Sequence, residues 1–393
     1  MGGTPAALRG RVDWPIQPVE IQRRFVPRFC PRRKCLAHRR TRGSRRFRFQ
    51  YFGTFTRADG RVVPRYRCLT CRRTFSKQTF AVSYYLKRPE LLVPVAAGLQ
   101  AGSAHRQIAR SQHCAASTVT RLSARLGRHS LLFHVLALSH LPRFDEPIVL
   151  DHFESFVRTQ DYAVGIATPI GHRSWFVYGL DPCPHAGSRK GTPVRPKPPR
   201  QESRGGYRGS AARILDVLAR FLPDSSSIRL ITDGHDAYRS ALRERRFNQR
   251  FAHRAYPNPK RGPKGSRRSW QARERDAAMF PNDQLHSFVR HSAAHHRRET
   301  IAFGRRLNAL LERMFVTIAW KNFIKGVSER KPDPTTPAMR VGLTTEPWSW
   351  PRILARRLFP ERLPVPKCWL ELYRRKWVTP GGPNSRHELA RAY

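Results

Sequence analysis

Hydrophobic residues recur along the chain with two different spacings, and each spacing predicts one kind of secondary structure. Short apolar runs bounded by polar or turn residues predict β-strands. These runs lie at 147–151, 162–168, 174–180 and 227–233. Apolar residues three and four positions apart predict helices instead, and they occupy 90–130, 211–221, 236–245 and 286–325. Three strands, a helix, a strand and further helices predict a mixed α/β domain in the middle of the chain.

Four cysteines stand ahead of this domain in two short pairs, Cys30-x4-Cys35 and Cys68-x2-Cys71. Paired thiolates at such spacings suit one tetrahedral Zn²⁺ ion with four sulfur ligands. Aromatic residues alternate with polar ones between the pairs, which predicts short β-hairpins. We therefore predict a zinc ribbon over 26–80, with a structural zinc ion because four protein ligands leave no open position. Four unrelated buried cysteines are the simpler alternative.

Within the predicted helix-turn-helix domain at 90–135, a short break at 112–114 separates two helical stretches, 103–110 and 117–122, which is the pattern of a helix-turn-helix. Ser103 and Ser117 precede the two helices and carry side chains that commonly cap helices. A helix-turn-helix inserts its second helix into the major groove of DNA. The residues of that helix predicted to face DNA are Ser117, Thr118, Thr120 and Arg121. An ordinary helical hairpin is the alternative.

The chain is strongly basic, with 75 Lys and Arg against 27 Asp and Glu and a formal net charge of +48. Phosphate backbones carry a matching density of negative charge, so nucleic acid is the predicted partner. An RNA binder of the ribosomal type and a protein of the membrane surface are the alternatives. No run of about eighteen apolar residues predicts a membrane span, and the N-terminus lacks the apolar stretch of a signal peptide. A cytoplasmic protein is therefore expected.

Three of the few acidic residues occupy positions suited to a metal site. Asp151 and Asp233 each end an apolar run that is predicted to be a strand, and Glu312 lies on an apolar-striped helix. Neighbouring carboxylates repel one another, and their pKa values rise unless cations occupy the site. Hard carboxylate oxygens suit Mg²⁺, which serves phosphoryl transfer. Each acid also has a simpler explanation, because an aspartate after a strand is often a turn residue or helix cap and Glu312 could pair with arginines on its helix.

Three stretches around these acids, 149–156, 232–238 and 308–315, resemble the DDE transposases of bacterial insertion sequences that carry an N-terminal zinc ribbon and helix-turn-helix. The second stretch contains Asp-Gly-x-x-x-Tyr, and the third contains Asn-x-x-x-Glu-Arg. Residues 336–343 also look like the segment that follows the catalytic helix in such enzymes. The resemblance covers roughly 26–350. Each of these motifs alone is a weak indication of the family. Their order along the chain, after the two cysteine pairs, is a more specific one.

This resemblance implies a ribonuclease-H-like catalytic fold and a function in DNA transposition. Asp151, Asp233 and Glu312 would be the catalytic acids and would hold two Mg²⁺ ions, or Mn²⁺. The implied reactions are hydrolysis at the transposon ends and attack of the freed 3′-OH on target DNA. A homo-oligomer on DNA, such as a dimer, is expected because two ends must be paired, and the bacterial nucleoid is the expected location. A non-catalytic DNA-binding protein derived from an inactive transposase is the alternative.

The spacing between the second and third acids is longer than the common pattern of that family. Asp233 and Glu312 are 79 residues apart (312 − 233), and a basic insertion near 253–275 would account for the length. Glu299 is the rival third acid. The predicted segments are a flexible leader at 1–25, the zinc ribbon at 26–80, the helix-turn-helix domain at 90–135, the catalytic domain at 145–330 and a C-terminal tail at 331–393.

Further basic residues are expected at the DNA. The insertion supplies Lys260, Arg261, Lys264, Arg267 and Arg268. Arg313 is expected to contact phosphate, and Asn308, one turn before Glu312, to orient that acid or touch DNA. Four histidines suggest metal ligation by their number, but within a basic helix they are expected to face phosphate or solvent instead. They are His286, His291, His295 and His296.

Overall fold

A computed structural model gives the architecture of the protein. The structure describes residues 25–39, 47–57, 60–142, 144–186, 204–221, 227–247, 249–259, 263, 266–329 and 333–380. The predicted leader, apart from Phe25, and the predicted DNA contacts Lys260, Arg261 and Lys264 lie outside the described residues. The described residues form a mixed α/β protein with two separate sheets.

The N-terminal sheet contains short antiparallel strands in the order β1-β2-β3. The elements of this unit are α1 (Leu36–Arg39), β1 (Phe49–Thr56), β2 (Val62–Cys68) and β3 (Thr74–Ser76). Tyr66 and Phe75 stack with their ring centroids 5.7 Å apart, and they pack with buried cysteines into a small core. So few apolar side chains stabilise a unit of this size weakly unless a metal site or disulfides reinforce it.

Three helices follow the small sheet. They are α2 (Leu92–Gln100), α3 (His105–Ser111) and α4 (Ala116–Leu138). The break predicted at 112–114 lies between α3 and α4. The two serines predicted to cap these helices do not do so, because the N-cap positions are Ala104 and Ala115. The N–H of Ala104 instead donates to Oε1 of Gln107 at 2.7 Å.

Five described strands form the larger sheet, in the order β6-β5-β4-β7-β8. They are β4 (Ile148–Val157), β5 (Thr159–Gly171), β6 (Asp181–Ala186), β7 (Ile228–Thr232) and β8 (Phe251–Ala255). The first three strands of that order are antiparallel, whereas β7 runs parallel to β4 and β8 parallel to β7. The strand predicted over 174–180 is wrong. Trp175 has a left-handed backbone at φ 60°, and the strand begins only at Asp181.

The helices that accompany the larger sheet are α5 (Gly206–Phe221), α6 (Asp236–Leu242), α7 (Trp270–Ser292) and α8 (Leu307–Phe323). α5 contacts β5 and β6, while α7 contacts β4, β5 and β7. A buried amide fixes α7 on the sheet. Nδ2 of Asn282 donates to the carbonyl oxygens of Val149 at 3.2 Å and Thr168 at 3.1 Å. This helix is therefore held across two adjacent strands by hydrogen bonds as well as by packing.

The long helix α4 connects α2 and α3 to the larger unit. Its C-terminal half is buried, and it packs along α8. Gly127 permits the close approach of the two helices, because a Cβ at this position would lie 2.4 Å from the backbone oxygen of Glu312. One hydrophobic core consequently extends from α2 through the larger sheet, so the predicted segments 90–135 and 145–330 share a core.

Residues 333–380 belong to that core and do not form the predicted tail. They contain α9 (Pro337–Arg340), α10 (Trp350–Ile353) and α11 (Lys367–Tyr373). Trp369 and Trp377 are each 1% exposed, and Nε1 of Trp369 donates to the carbonyl oxygen of Leu180 at 2.9 Å. Among the helices of the described part of the chain, none combines the length and the apolar character needed to cross a membrane.

Candidate metal sites and nucleic-acid cleft

The four paired cysteines meet at one end of the small sheet. Their sulfur atoms all lie within 4.8 Å of one another. The Sγ atoms of Cys30 and Cys71 are 3.8 Å apart, as are those of Cys35 and Cys68. A tetrahedral Zn²⁺ ion with Zn–S bonds of about 2.3 Å places its sulfur ligands about 3.8 Å apart. The cluster therefore has the dimensions of a four-sulfur zinc site.

The chain around each cysteine pair also suits a bound cation. Burial raises the pKa of the Cys30 thiol, and the charges of Cys68 and Cys35 act in the same direction. Burial also acts against ionisation of Cys68, but hydrogen bonds from the backbone amides of Cys71 and Thr70 lower its pKa overall. Thiolates crowded in this way are stable when a divalent cation shares their charge.

Two of the three predicted acids lie side by side in the larger sheet. Asp151 lies in β4, and Asp233 directly follows β7. These strands are parallel, with Val149 paired to Ile231, so each aspartate comes two residues after a member of this pair. Burial raises the pKa of Asp151 to about 7, and the neighbouring charge of Asp233 contributes to the rise. Asp151 is thus more stable when it is protonated or when a cation lies near it.

Hydrogen bonds orient both aspartates. Oδ1 of Asp151 accepts from the N–H of His152 at 2.7 Å and from the hydroxyl of Tyr238 at 3.4 Å. The same hydroxyl lies 2.7 Å from Nδ1 of His152. Oδ1 of Asp233 accepts from the N–H of His235 at 3.0 Å. Gly234 allows the turn between them, because its φ of 86° is a conformation that other residues rarely adopt.

Helix α7 brings further polar side chains to this site. Nδ1 of His286 lies 3.9 Å from Oδ2 of Asp151. The charge of Asp283 also raises the pKa of Asp151, although Arg275 holds both carboxylate oxygens of Asp283. Burial lowers the pKa of His286 to about 3, which keeps its imidazole neutral. The sequence pattern predicted neither α7 as the helix at the site nor His286 as a neighbour of Asp151.

Glu312, the third predicted acid, occupies a different environment. Arg375 donates two hydrogen bonds of 2.7 Å to its two carboxylate oxygens, and Glu312 is 2% exposed. Within the described residues, the cysteine cluster is the one group of three or more ligand side chains close enough to hold an ion as they stand. Among the described residues, the carboxylates of Asp151, Asp233 and Glu312 therefore do not meet at one site as expected. Packing of α8 against α4 directs Glu312 to Arg375 instead.

Other predicted residues near α8 also have different roles. Nδ2 of Asn308 donates to the carbonyl oxygen of Trp377 at 2.7 Å, so Asn308 contacts the C-terminal segment. The rival acid Glu299 is exposed. His295 and His296 are buried, contrary to the expectation that they face phosphate or solvent. Nδ1 of His296 lies 2.8 Å from Oγ of Ser155, whereas His291 is exposed as expected.

A cleft of about 2230 Å³ lies between α3, the first turns of α4 and the segment that leads into α8. The four residues predicted to face the major groove all line it, and so does Arg313. Twelve of its described lining residues are Lys or Arg, and none is Asp or Glu. Such a cleft concentrates positive potential and attracts polyanions.

Arginines stand on both walls of this cleft. Those of α3, α4 and the segment before α8 include Arg106, Arg110, Arg121, Arg297, Arg305 and Arg306. α4 begins at the cleft with no acidic residue in its first turn and no side-chain cap. Its N-terminal N–H groups and its dipole therefore favour an anion at this position.

The predicted basic insertion is described only in part. Arg267 and Arg268 are exposed ahead of α7, and Arg268 pairs with Asp276 at 2.6 Å. Neither arginine is among the described residues that line the cleft. Contact between these residues and nucleic acid remains a prediction.

Searches for related proteins gave no match to a family model, to a curated protein or to a solved structure. Function must therefore be inferred from the chain itself. The relevant features are a four-sulfur cluster, two neighbouring aspartates and an arginine-lined cleft.

Proposed function

We propose that the protein is a DNA transposase that cleaves phosphodiester bonds at transposon ends and transfers the freed 3′-OH into target DNA. The observation that carries this proposal is the placement of Asp151 in β4 and of Asp233 just after the end of the adjacent parallel strand β7. These residues would hold the metal ion. Mg²⁺ or Mn²⁺ would supply Lewis-acid stabilisation of the charge that develops on the reacting phosphate.

The chain's own residues prepare Asp151 for that role. The N–H of His152 and the hydroxyl of Tyr238 both donate to Oδ1 of Asp151, so Oδ2 is the oxygen available to a cation. The pKa of about 7 reflects burial first and the charge of Asp233 second. Both causes make the ionised pair more stable when a divalent cation is bound.

The strand order of the larger sheet supports a ribonuclease-H-like catalytic unit. Antiparallel β6, β5 and β4 are followed by parallel β7 and β8, which is the order expected of that fold. Its first and fourth strands are neighbours, and here β4 and β7 carry the two aspartates. α7, which follows β8 in the chain, packs across β4, β5 and β7. A helix in this position could add a further ligand to the aspartate site.

The arginine-lined cleft supports DNA as the substrate. The helix-turn-helix residues expected to read the major groove line one wall, and arginines of the larger unit line the other. A duplex bound there would contact both units at once. The cysteine cluster would hold structural zinc in the ribbon, whose Arg57 also lines the cleft. We further propose a homo-oligomer on DNA, since transposition joins two ends.

Strand cleavage in the presence of Mn²⁺ or Mg²⁺ tests this function. The substrate is duplex DNA that carries the sequences flanking the protein's own gene. We expect Asp233→Asn to abolish cleavage while DNA affinity in a mobility-shift assay is unchanged. Asp236→Asn, three residues away, is the matched control and should retain cleavage. Undiminished cleavage by Asp233→Asn would overturn the catalytic assignment.

A non-catalytic DNA-binding protein is the second candidate. It is favoured by the bidentate pair of Glu312 with Arg375, which removes the expected third acid from the site. This candidate predicts DNA binding through the cleft without cleavage. It also predicts that neither Asp151→Asn nor Asp233→Asn changes the affinity of the protein for Mn²⁺.

A further inference from the structure

His286 reaches the aspartate pair from α7, one turn after the amide that fixes this helix on the sheet. Its ring lies between Thr168 of β5 and Asp151 of β4. Nε2 is 2.9 Å from Oγ1 of Thr168, and Nδ1 is 3.9 Å from Oδ2 of Asp151. The two ring nitrogens therefore face different partners, and the proton on the ring decides what each can do.

The hydrogen bonds around Asn282 determine where that proton lies. Both donors of its amide are used, because Nδ2 donates to the carbonyl oxygens of Val149 and Thr168. Oδ1 of Asn282 is then left facing Oγ1 of Thr168 at 3.1 Å. The hydroxyl of Thr168 is the donor that satisfies this buried oxygen, since leaving it unsatisfied would be costly. The carbonyl oxygen of Asp151, 3.2 Å from Oγ1, is a second acceptor for the same proton and also lies away from His286.

A threonine hydroxyl has a single proton, so Thr168 cannot also donate to His286. Its Oγ1 must instead accept from Nε2–H of the histidine. With its ring proton on Nε2, the imidazole presents the lone pair of Nδ1 on its other side. That lone pair faces a carboxylate oxygen across 3.9 Å, which is too long for a hydrogen bond.

Two electron-rich atoms that face each other across such a gap can both bind a cation that enters between them. Imidazole nitrogens and carboxylate oxygens bind divalent ions at about 2.1 Å, so both atoms can reach the same ion. A ligand histidine commonly donates its other N–H to an oxygen that holds the ring in place. Thr168 provides that oxygen here.

We infer that His286 is a nitrogen ligand of the metal site formed with Asp151 and Asp233, in the position that Glu312 was expected to take. This inference rests on the proposed function and adds a residue to the same site. Asp283, the nearest acidic rival on α7, is held on both oxygens by Arg275. A site with one imidazole among carboxylates favours Mn²⁺ over Mg²⁺ more strongly than an all-oxygen site does.

Mn²⁺ bound to the full-length, zinc-loaded protein provides the test. Electron spin-echo spectroscopy detects the ¹⁴N nucleus of an imidazole attached to Mn²⁺. We expect a ¹⁴N modulation in the wild type that is lost in His286→Gln and kept in His291→Gln, an exposed position on the same helix. Mn²⁺ affinity should fall on the order of tenfold or more in His286→Gln only.

A second variant keeps the inference testable if His286→Gln binds no Mn²⁺. His286→Glu replaces the nitrogen with an oxygen ligand, so the ratio of Mn²⁺ to Mg²⁺ affinity should fall on the order of tenfold. The inference is overturned if Mn²⁺ binding requires both aspartates but the ¹⁴N signal survives in His286→Gln, or if His286→Glu leaves the ratio unchanged. Mn²⁺ binding that is indifferent to Asp151→Asn and Asp233→Asn would instead overturn the proposed function.

Discussion

The guanidinium of Arg375 holds both carboxylate oxygens of Glu312 with hydrogen bonds of 2.7 Å. Burial raises the pKa of Glu312, and the hydrogen bonds and charge of Arg375 oppose that rise. The pair joins α8 to the C-terminal segment, where Arg375 has a left-handed backbone at φ 54°. Glu312 is therefore part of the packing between distant segments.

Replacement of Glu312 by Gln should destabilise the protein without removing its chemistry. The change leaves Arg375 as a largely buried, uncompensated charge, so the free energy of unfolding should fall by about 3 kcal/mol. Urea denaturation measures this loss. Cleavage per folded molecule and Mn²⁺ affinity should stay at the wild-type level. A variant of normal stability that cannot cleave would restore Glu312 as a catalytic acid.

Asp151 should make the stability of the protein depend on pH. Its pKa in the folded state is about 7, above the ordinary value of 3.8, so the folded state retains a proton that the unfolded state has lost. The free energy of unfolding should therefore fall as pH rises from about 4 to about 7, by up to about 4 kcal/mol. Asp151→Asn should lack this contribution to the fall.

The measurement is urea denaturation at several pH values without added divalent ions or chelator, which leaves zinc in place. At about pH 8, Asp151→Asn should be more stable than the wild type, and at about pH 4 the two should be similar. Mn²⁺ should restore stability to the wild type alone. A difference between the two proteins that is the same at both pH values would contradict the raised pKa.

Zinc should hold the N-terminal sheet together. We expect one zinc ion per chain by mass spectrometry of the purified protein. Cys68→Ser should lose it and unfold the ribbon, because the small core of this unit is separate from the main hydrophobic core. Cys114→Ser changes a cysteine outside the cluster and should keep both zinc and structure. Full resistance of the ribbon to proteolysis in Cys68→Ser would argue against the site.

The cleft should bind DNA mainly through phosphate contacts. Arg121→Ala should lower the affinity for duplex DNA and reduce the slope of log K against log salt by about 1. Arg374, an exposed arginine outside the described cleft lining, is the matched control, and Arg374→Ala should leave the slope unchanged. Equal effects of the two substitutions would show that general charge, not the cleft, attracts the DNA.

Local spacing in the sequence was sufficient to predict the cysteine cluster and the neighbouring aspartates. Each cysteine pair spans only a few residues, so the chain between its members constrains where both sulfur atoms can lie. Asp151 and Asp233 each stand at a fixed distance from an apolar run, and pairing those runs as parallel strands brings the carboxylates together. In both cases local spacing fixes each half of the site, and packing within the small core or pairing of β4 with β7 brings the halves together.

The residue that joins the two aspartates could not be predicted from local sequence patterns, because it depends on contacts between distant segments. α7 and α8 both carry apolar residues at helical spacing and polar groups between them. Periodicity shows which residues share a helix face, but not which helix crosses the sheet or what that face meets. Packing of α8 on α4 turned Glu312 toward Arg375, whereas the hydrogen bonds of Asn282 laid α7 across β4 and β5. Those contacts join segments far apart in the chain, and they placed His286 beside Asp151.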